Sequence, residues 1–359
     1  MVIFRETPEM LTMKDLSIAQ IGCGVISRQH LNAFKTIEGA SIKAICDLSE
    51  QALEEVGNAF GIQRRTTKVE ELLEDATIDA VILALPTSVR TPIALKALAA
   101  GKHVLLEKPA AMNLEEIDAL EAARGNLVVA CCSARFSAFP SCRAAREFLR
   151  NGNLGDVRAI SCRAVLSPSK PPPVAPPPWR LKRALNGGGI LVNWGSYDLD
   201  YLLRMIDFQV RPASILARCW GVGASNASYA APGSDAETHV TALVRFDNGS
   251  VLDYERAEFV PIQQEERWQI IGENGTLELA LLPAAEKRIV WNRPGNEGAG
   301  QSVVWEGDES HLDATTLVDQ NFVAALRGEC DPLTPLKFSR VIQEITDGIY
   351  QSASGQTAD

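Results

Sequence analysis

The chain has 359 residues, of which 46% are hydrophobic and 22% charged, and its net charge at pH 7 is −10. These proportions are those of an ordinary globular protein, and the length is sufficient for two domains with separate cores. The negative charge argues against a nucleic-acid partner and against an acidic membrane surface. The sequence has no apolar run of the roughly 18 residues that a membrane-spanning helix needs. With nucleic acid and membrane disfavoured, we predict a small molecule as the partner.

The eight cysteines and four histidines do not form a recognisable ligand pattern. No C-x-x-C occurs, and the histidines lie far apart in the sequence. We therefore predict free thiols, a reducing cytoplasmic compartment and no metal site. Residues 1–14 have mixed charge and lack the apolar segment of a secretory signal, so we expect a loose extension there.

A short strand, a glycine turn, a helix and a second strand follow one another at the start of the chain. The first strand, at residues 18–21, leads into Gly22-Cys23-Gly24, and a helix is predicted from near Ser27. The second strand, at residues 42–46, ends at Asp47. This order of elements is typical of a dinucleotide-binding unit.

Each part of this unit has a physical role in holding a dinucleotide. Gly22 permits the tight turn, and Gly24 lets the backbone approach a pyrophosphate, which the N–H groups at the helix start can bind. Asp47 lies about 20 residues beyond the turn, where it can accept hydrogen bonds from a ribose diol and would repel a 2′-phosphate. We predict NAD as the cofactor, with NADP as the alternative. The predicted turn residues are Gly22, Cys23, Gly24, Val25, Ile26 and Ser27, with Ser27 in place of the third glycine.

Strands and helices continue to alternate up to about residue 136. Apolar strands are predicted at 80–85, 103–106 and 127–132, with helix starts at Ser49, Thr91-Pro92 and Asn113. Regular alternation predicts a doubly wound parallel sheet that binds ligands beyond the carboxyl ends of its strands. Asp47, Pro86 and Lys108 all lie at such predicted ends.

The pattern changes in the second half, which we predict to be a separate domain at residues 137–359. Alternating strands, including a hairpin around Asp247-Asn248-Gly249, indicate a large, mostly antiparallel sheet, and two helices close the chain. The segment Lys170–Pro178 predicts a polyproline-like surface loop. The whole chain is therefore predicted to be an α/β Rossmann domain followed by an α+β domain.

Two segments supply residues suited to acid–base chemistry. Lys108 follows a strand and precedes a proline, whereas Asn193 and Tyr197 are four residues apart in a predicted helix that follows the glycines 187–189. These glycines let the chain pass close to a ligand or another backbone. An ordinary tyrosine is too weak a base at neutral pH, but a nearby ammonium favours its phenolate form. We therefore predict Tyr197 as the acid/base, Lys108 as its electrostatic partner and Asn193 as a substrate hydrogen-bonding group.

The sequence resembles the Gfo/Idh/MocA oxidoreductases over residues 16–350. The resemblance rests on IGCGVISRQH, AGKHVLLEKP, ARF and GGGILVNWGSYDLD, which start at residues 21, 100, 134 and 187. It implies a nucleotide-binding domain and a second domain whose open sheet commonly forms the oligomer interface. It also implies that Lys108 is the active-site lysine, that Glu107 lines the nicotinamide pocket and that Leu85, Pro86 and Thr87 follow the cofactor.

The sequence also departs from that family. Most members have Asp and His at the positions of Asn193 and Tyr197, although some sugar and diol dehydrogenases use a tyrosine at the second position. Arg90 stands where many members have histidine. The segment just before the glycines, with Trp179 and Arg180, resembles one that often borders the substrate pocket. The predicted substrate-binding residues are these two together with Arg135 of the ARF segment and Trp194, which follows the glycines.

These features predict an NAD(P)-dependent oxidoreductase that interconverts a secondary alcohol and a ketone on a sugar, cyclitol or related diol. We expect a homodimer or homotetramer formed through the C-terminal sheet. A nucleotide-binding sensor without turnover, built on the same scaffold, is the alternative. Hydride transfer between two sugars through a permanently held cofactor is a third reading.

Overall fold

Two β-sheets organise the chain. The computed structural model describes residues 15–166, 177–293 and 300–355. The strands of the first sheet are β1 (Leu16–Ile21), β2 (Ala40–Cys46), β3 (Arg64–Thr66), β4 (Ala80–Leu83), β5 (His103–Leu106) and β6 (Val129–Cys131). Those of the second are β7 (Val157–Val165), β8 (Pro212–Trp220), β9 (His239–Phe246), β10 (Val251–Ala257), β11 (Glu265–Gly272), β12 (Gly275–Leu279), β13 (Lys287–Arg293) and β14 (Gly300–Gly307).

Helices connect the strands and cover both sheets. They are α1 (Val25–Ala33), α2 (Glu50–Phe60), α3 (Glu70–Leu73), α4 (Thr87–Ala99), α5 (Leu114–Ala123), α6 (Pro140–Arg150), α7 (Arg183–Asn186), α8 (Ser196–Met205), α9 (Asp313–Leu326) and α10 (Leu336–Ala353). A 3₁₀ turn at Cys132–Phe136 follows β6, and a π-helical turn at Leu191–Gly195 precedes α8. Within the described residues, no helix is long and apolar enough to cross a membrane.

The first sheet has six strands in the order β3-β2-β1-β4-β5-β6, and every neighbouring pair is parallel. The predicted doubly wound sheet is therefore confirmed. All residues of β4 are buried, as expected for a strand that helices cover on both faces. Because the strands are parallel, the ends of β1, β2, β4 and β5 meet at one edge, which brings Gly22, Asp47, Pro86 and Lys108 to the same side of the sheet.

The second sheet has eight strands in the order β14-β13-β12-β11-β7-β10-β9-β8. All neighbouring pairs are antiparallel except β7 with β10. This confirms the predicted mostly antiparallel sheet and the hairpin between β9 and β10. The predicted loop at Lys170–Pro178 falls largely outside the described residues.

Helix α9 connects the two halves of the molecule. Its residues Val318, Phe322 and Val323 pack in one buried cluster with Ile18 of β1 and Leu105 of β5. A helix from the C-terminal half thus covers one face of the nucleotide-binding sheet. The boundary between residues 136 and 137 remains a prediction.

Two of the predicted helix starts are confirmed and one is wrong. The side chains of Ser49 and Asn113 accept hydrogen bonds from Ala52 N and Glu116 N. Helix α4, however, begins at Thr87, so Pro92 lies inside the helix. The prediction gave most weight to the usual place of proline in the first helical turn, but here tertiary contacts around the start of α4 override that preference.

Candidate active site

The glycine turn combines a strained position with an open one. Gly22 has a φ of 99°, and a Cβ atom there would lie 2.3 Å from the carbonyl oxygen of Ala84. Gly24 has a φ of −71°, and nothing lies within 4 Å of the position of its missing Cβ. Gly22 is thus needed for the turn itself, whereas Gly24 leaves space in front of the α1 N-terminus, as a pyrophosphate requires.

Asp47 and Ser27 complete the turn. The Asp47 carboxylate accepts hydrogen bonds from the backbone N–H groups of Cys23 at 2.8 Å and Ser49 at 2.9 Å. The Ser27 side chain is fully buried, and its hydroxyl donates to the Gly24 carbonyl. Helix α1 begins at Val25, two residues before the predicted start near Ser27, and Val25 is 85% exposed. Val25 and its neighbour Ile26 therefore open the helix beside the free space at Gly24.

The segment after β4 is held in place by an arginine. The Arg90 guanidinium donates to the carbonyl groups of Leu85, at 2.6 Å, and of Glu107 and Pro109. This buried side chain therefore ties the ends of β4 and β5 together at the carboxyl edge. Thr87 is buried and bonds Asn186 at 3.1 Å, while Leu85 and Pro86 are partly exposed there.

Lys108 makes its contacts with the π-helical turn. Its Nζ donates to the backbone carbonyl of Asn193 at 2.6 Å and to the Asn193 side-chain oxygen at 2.9 Å. Burial, together with the positive charges of Arg135, Arg180 and Arg90, outweighs the attraction of Glu107 and lowers the pKa of Lys108 to about 7. The site therefore contains an amine that can gain or lose a proton near neutrality. π-Helical turns are rare and are frequent at functional sites.

Tyr197 lies in an aromatic cluster with its hydroxyl on an arginine. The ring makes edge contacts with Phe136 and Trp194, at centroid separations of 4.9 and 5.7 Å, and Lys108 Nζ lies 4.9 Å from its centroid. The hydroxyl accepts a hydrogen bond from Arg135. Burial raises the pKa of Tyr197 above its ordinary value, against the opposing influence of Arg135.

The structure thus differs from the predicted pairing of Tyr197 with Lys108. Both Asn193 and Lys108 are close to Tyr197, as predicted, but the ammonium group of Lys108 faces the ring and the guanidinium of Arg135 meets the hydroxyl. The ARF segment had marked Arg135 as a site residue. Its contact with the hydroxyl depends on the 3₁₀ turn after β6, which sequence patterns did not predict.

Glu107 connects Arg135 to two residues that the sequence did not single out for function. Its Oε1 accepts from Arg135 and lies 3.1 Å from His30 Nε2. His30 Nδ1 in turn lies 2.9 Å from both carboxylate oxygens of Asp319. In the sequence, His30 recurs at helical spacing with Ile26 and Phe34, which predicts only a place in the apolar stripe of α1. A histidine in an apolar stripe was the one available signal, because Asp319 lies almost 300 residues further along the chain.

One group of residues has the chemistry of metal ligands. Potential ligand atoms of His30, Glu107 and Cys132 lie within 4.8 Å of one another, and all three residues are buried. Each already has a protein partner: the imidazole bonds Asp319 and the carboxylate bonds Arg135. Hydrogen bonding accounts for this arrangement, and the absence of a metal remains a prediction.

The predicted substrate-binding residues take different positions. Trp194 stacks on Phe136 with a 6.0 Å centroid separation, so its ring borders Tyr197. Arg180 pairs with Glu258 at 2.7 Å and is close enough to Lys108 to lower the pKa of that lysine. Trp179 is 42% exposed at the surface. Arg135 and Trp194 therefore lie next to Tyr197, whereas Arg180 and Trp179 lie in a separate 3₁₀ turn at Pro178–Leu181.

The glycines at 187–189 approach protein rather than open space. A Cβ on Gly189 would lie 1.8 Å from the Glu237 carbonyl oxygen, and one on Gly188 would lie 1.8 Å from the Tyr350 hydroxyl oxygen. The Glu237 carboxylate accepts from Gly189 N and Leu191 N at 2.9 and 3.1 Å. The close approach predicted here is thus to another part of the backbone, and it fixes the turn that carries Asn193.

Known protein families match both halves of the chain. Residues 16–131 match the model of an oxidoreductase family with an NAD-binding Rossmann fold, GFO_IDH_MocA, and residues 142–278 match the GFO/IDH/MocA C-terminal domain. The chain belongs to the GFO/IDH/MocA family. This membership confirms the predicted family, the NAD-binding Rossmann domain and the assignment as an oxidoreductase.

Several members of the GFO/IDH/MocA family are similar over most of the chain. The D-apiose dehydrogenase of Paraburkholderia graminis is 26% identical, covering 97% of this chain and 90% of the relative. The 1,5-anhydro-D-fructose reductase of Ensifer adhaerens is 28% identical over 72% of this chain and 73% of the relative. A solved structure of levoglucosan dehydrogenase with NADH and L-sorbose has a TM-score of 0.81 and 19% identity, covering 96% of this chain and 98% of that one. This likeness confirms the fold.

Proposed function

We propose that the protein is an NAD-dependent dehydrogenase or reductase that interconverts a secondary alcohol and a ketone on a sugar, cyclitol or related diol. The observation that carries the proposal is the placement of the Tyr197 hydroxyl, bonded by Arg135, beside Lys108 at the carboxyl edge of the nucleotide-binding sheet. The relatives named above act, by their names, on sugars or anhydrosugars. Their chemistry supports this class of substrate.

The turn residues fit the cofactor. The open space at Gly24, the N-terminus of α1 and the carboxylate of Asp47 provide room, N–H donors and a ribose acceptor at one edge. Bound NAD supplies the acceptor or donor of the hydride. Leu85, Pro86 and Thr87 at the end of β4 would line its path toward Glu107 and Lys108.

Side chains of the protein would accept and return the proton of the substrate hydroxyl. During alcohol oxidation the substrate hydroxyl must lose a proton, and Tyr197 or the neutral amine of Lys108 can accept it. Arg135 stabilises the phenolate of Tyr197, and Asn193 holds the Lys108 amine in place. In the direction of ketone reduction the same groups return the proton to the carbonyl oxygen. Trp194 and Arg180 would contact the remainder of the substrate.

Replacing Tyr197 with Phe tests the proposal. Turnover should fall by about 10² or more because a general acid/base is lost, while NAD binds with nearly unchanged affinity. The measurement is NADH absorbance over a panel that includes D-apiose and 1,5-anhydrosugars, with NAD binding followed by calorimetry. A Tyr197→Phe variant with full turnover would remove this residue from the mechanism. A wild-type protein that binds NAD tightly but oxidises no compound in a broad panel would favour the sensor.

Two wider proposals concern the setting of the enzyme. All eight cysteines lie in the described part of the chain with free thiols, six of them buried, which supports a reducing, cytoplasmic location. The outer face of the C-terminal sheet exposes Leu216 and Leu243, which pair across β8 and β9. Exposed apolar side chains on a large sheet support a homodimer or homotetramer formed through this face.

A further inference from the structure

A continuous chain of hydrogen-bonded charged groups runs through the interior to the Tyr197 hydroxyl. It begins at Asp319, whose two carboxylate oxygens lie 2.9 Å from His30 Nδ1. The other nitrogen of His30 lies 3.1 Å from Glu107 Oε1, and the same oxygen accepts from Arg135. Arg135 uses its second terminal nitrogen to donate to Tyr197. Every link is therefore a direct contact between side chains.

The hydrogen-bonded residues from Asp319 to Arg135 are buried, and their charges alternate. His30 and Asp319 are 0% exposed, and Glu107 and Arg135 are 5% and 7% exposed. Burial disfavours a charged imidazole, but Asp319, Cys132 and Glu107 together raise the pKa of His30 well above its ordinary value. Arg135, His30 and Lys108 together overcome burial and hold the pKa of Glu107 well below its ordinary value. With His30 protonated, negative and positive groups alternate from Asp319 to Arg135.

The four hydrogen-bonded residues come from separate parts of the fold. Asp319 is on α9 and His30 is on α1, the helix that begins at the glycine turn. Glu107 follows β5, and Arg135 lies in the 3₁₀ turn after β6. Helices α9 and α1 thus meet at the contact between Asp319 and His30, and α1 and the 3₁₀ turn meet on the Glu107 carboxylate.

A purely structural role does not explain these charged groups well, because they would add little to the stability of the protein. Buried ion networks are often no more stable than apolar side chains of the same volume, because each charge loses its water. The geometry also points to Tyr197. Among the described contacts, these four residues make one hydrogen bond to the aromatic cluster of Phe136, Trp194 and Tyr197, and it goes to the Tyr197 hydroxyl.

We propose that His30 and Asp319 are positioning residues for the reaction, which hold Glu107 so that Glu107 aligns Arg135 on the Tyr197 hydroxyl. The inference rests on the proposed acid–base role of Tyr197. Neither residue touches substrate or the reacting atoms. Their effect is carried through one carboxylate and one guanidinium, and loss of either should loosen the donor at Tyr197.

The direction of the effect follows from the groups around Tyr197. Arg135 lowers the pKa of this tyrosine, whereas burial, Glu107, Cys132 and Cys131 raise it. A less well aligned Arg135 therefore leaves the pKa of Tyr197 higher. Alcohol oxidation with Tyr197 as the base requires its phenolate, so it should then reach its full rate only at higher pH.

The test compares Asp319→Asn and His30→Gln with the wild-type enzyme in the direction of alcohol oxidation, using the best substrate of the panel above. Each variant should lower kcat at pH 7 about tenfold, the effect expected for weakening one charged hydrogen bond, with KM changed less than about twofold. The rise of kcat with pH should move upward, as it should in Arg135→Lys. Adding Asp319→Asn to Arg135→Lys should cause little further change, because the two act in series.

Glu309→Gln is the matched control. It breaks another buried ion pair, that of Glu309 with Lys287 at 2.7 Å, which lies outside this chain of contacts. It should lower the melting temperature but leave the pH profile of kcat in place. A pH profile unchanged in both Asp319→Asn and His30→Gln, or one shifted equally by Glu309→Gln, would overturn the proposal.

A second measurement requires neither a substrate nor a stable variant. Nitrogen NMR of the wild-type protein with NAD should show both ring nitrogens of His30 protonated at pH 7, because each nitrogen faces a carboxylate. A neutral ring at pH 7 would overturn the alternating arrangement. Tyr197→Phe is assayed in parallel: full turnover in that variant removes Tyr197 from the mechanism and with it the basis of this inference, whereas a fall there with unchanged pH profiles in Asp319→Asn and His30→Gln refutes only this inference.

Discussion

Lys108 shows how a single amide can change the character of an ionisable site. A carboxylate at position 193 would favour the ammonium form of the lysine, whereas the Asn193 side chain and carbonyl offer dipoles without a net charge. Burial and the neighbouring guanidinium groups therefore prevail and bring the pKa to about 7. The departure at 193 thus leaves, beside Tyr197, an amine that can exchange a proton near neutral pH.

This shift predicts a pH-dependent stability. The pKa of Lys108 is about 7 in the folded chain and 10.5 ordinarily. Between these values the unfolded chain binds more protons, so the contribution of Lys108 to stability rises with pH and falls as pH drops toward 7. Relative to Lys108→Met, the wild-type protein should gain up to about 1 kcal/mol per pH unit in this window. The measurement is urea unfolding at pH 7.5 and 9.5.

The exposed Lys43 provides the control, since Lys43→Met should not change this pH dependence. A difference between Lys108→Met and wild type that stays constant from pH 7.5 to 9.5 would contradict the lowered pKa. A wild-type free energy of unfolding that falls with rising pH relative to that of Lys108→Met would contradict its sign.

Asp47 combines a structural contact with a charge that favours one cofactor. Its two carboxylate oxygens accept from different N–H groups, Oδ2 from Cys23 and Oδ1 from Ser49, and its negative charge would repel a 2′-phosphate. Asp47→Asn keeps only one of these acceptors and removes the charge. It should therefore weaken NAD binding by about tenfold, strengthen NADP binding and lower the melting temperature slightly. Calorimetric titration with both cofactors checks this, and an equal loss of both affinities would argue against the ribose role.

At the scale of elements, strands were easier to predict than the contacts made after they end. Apolar runs at 80–85 and 103–106 predicted buried parallel strands correctly because such strands have a strong, local signal. The predicted start of α4 was wrong because contacts of Arg90 and its neighbours outweigh the preference of Pro92 for the first helical turn. The bond between His30 and Asp319 had no local signal, since it joins two helices that only the completed fold brings together.

The glycine turn offers a matched pair of substitutions. Gly22→Ala would place a Cβ 2.3 Å from the Ala84 carbonyl oxygen at a φ of 99°, so it should lower the free energy of unfolding by about 2 kcal/mol or more. Gly24→Ala has no such contact, and stability should change by less than about 0.5 kcal/mol. It should still reduce NAD affinity at least about tenfold, because the methyl group enters the pyrophosphate space.

Chemical denaturation and calorimetry distinguish these two effects. A Gly24→Ala variant with normal NAD affinity would show that the space before α1 does not hold the pyrophosphate. A Gly22→Ala variant as stable as wild type would show that the turn can relax away from Ala84.

At the scale of the molecule, neither half is independent of the other. Phe322 of α9 is fully buried against the nucleotide-binding sheet, and Asp319 of the same helix meets His30. The C-terminal half thus supplies part of the core and part of the interior polar network of the N-terminal half. The candidate active site lies where Lys108 and Glu107 of one half face Asn193 and Tyr197 of the other.

The outer face of the C-terminal sheet should determine the assembly. Leu216 and Leu243 are 74% and 48% exposed and oppose each other on adjacent strands, and Trp220 nearby is 46% exposed. Covering these side chains with a second copy would remove apolar surface from water, which favours association. The double substitution Leu216→Asp with Leu243→Asp should therefore convert the proposed oligomer to a folded monomer, as measured by light scattering and circular dichroism. Leu312→Asp, at a position 88% exposed just before α9, serves as the control and should leave the mass unchanged. A double variant with the mass of the wild type would place the interface elsewhere, and equal dissociation in Leu312→Asp would show that added charge alone disrupts assembly.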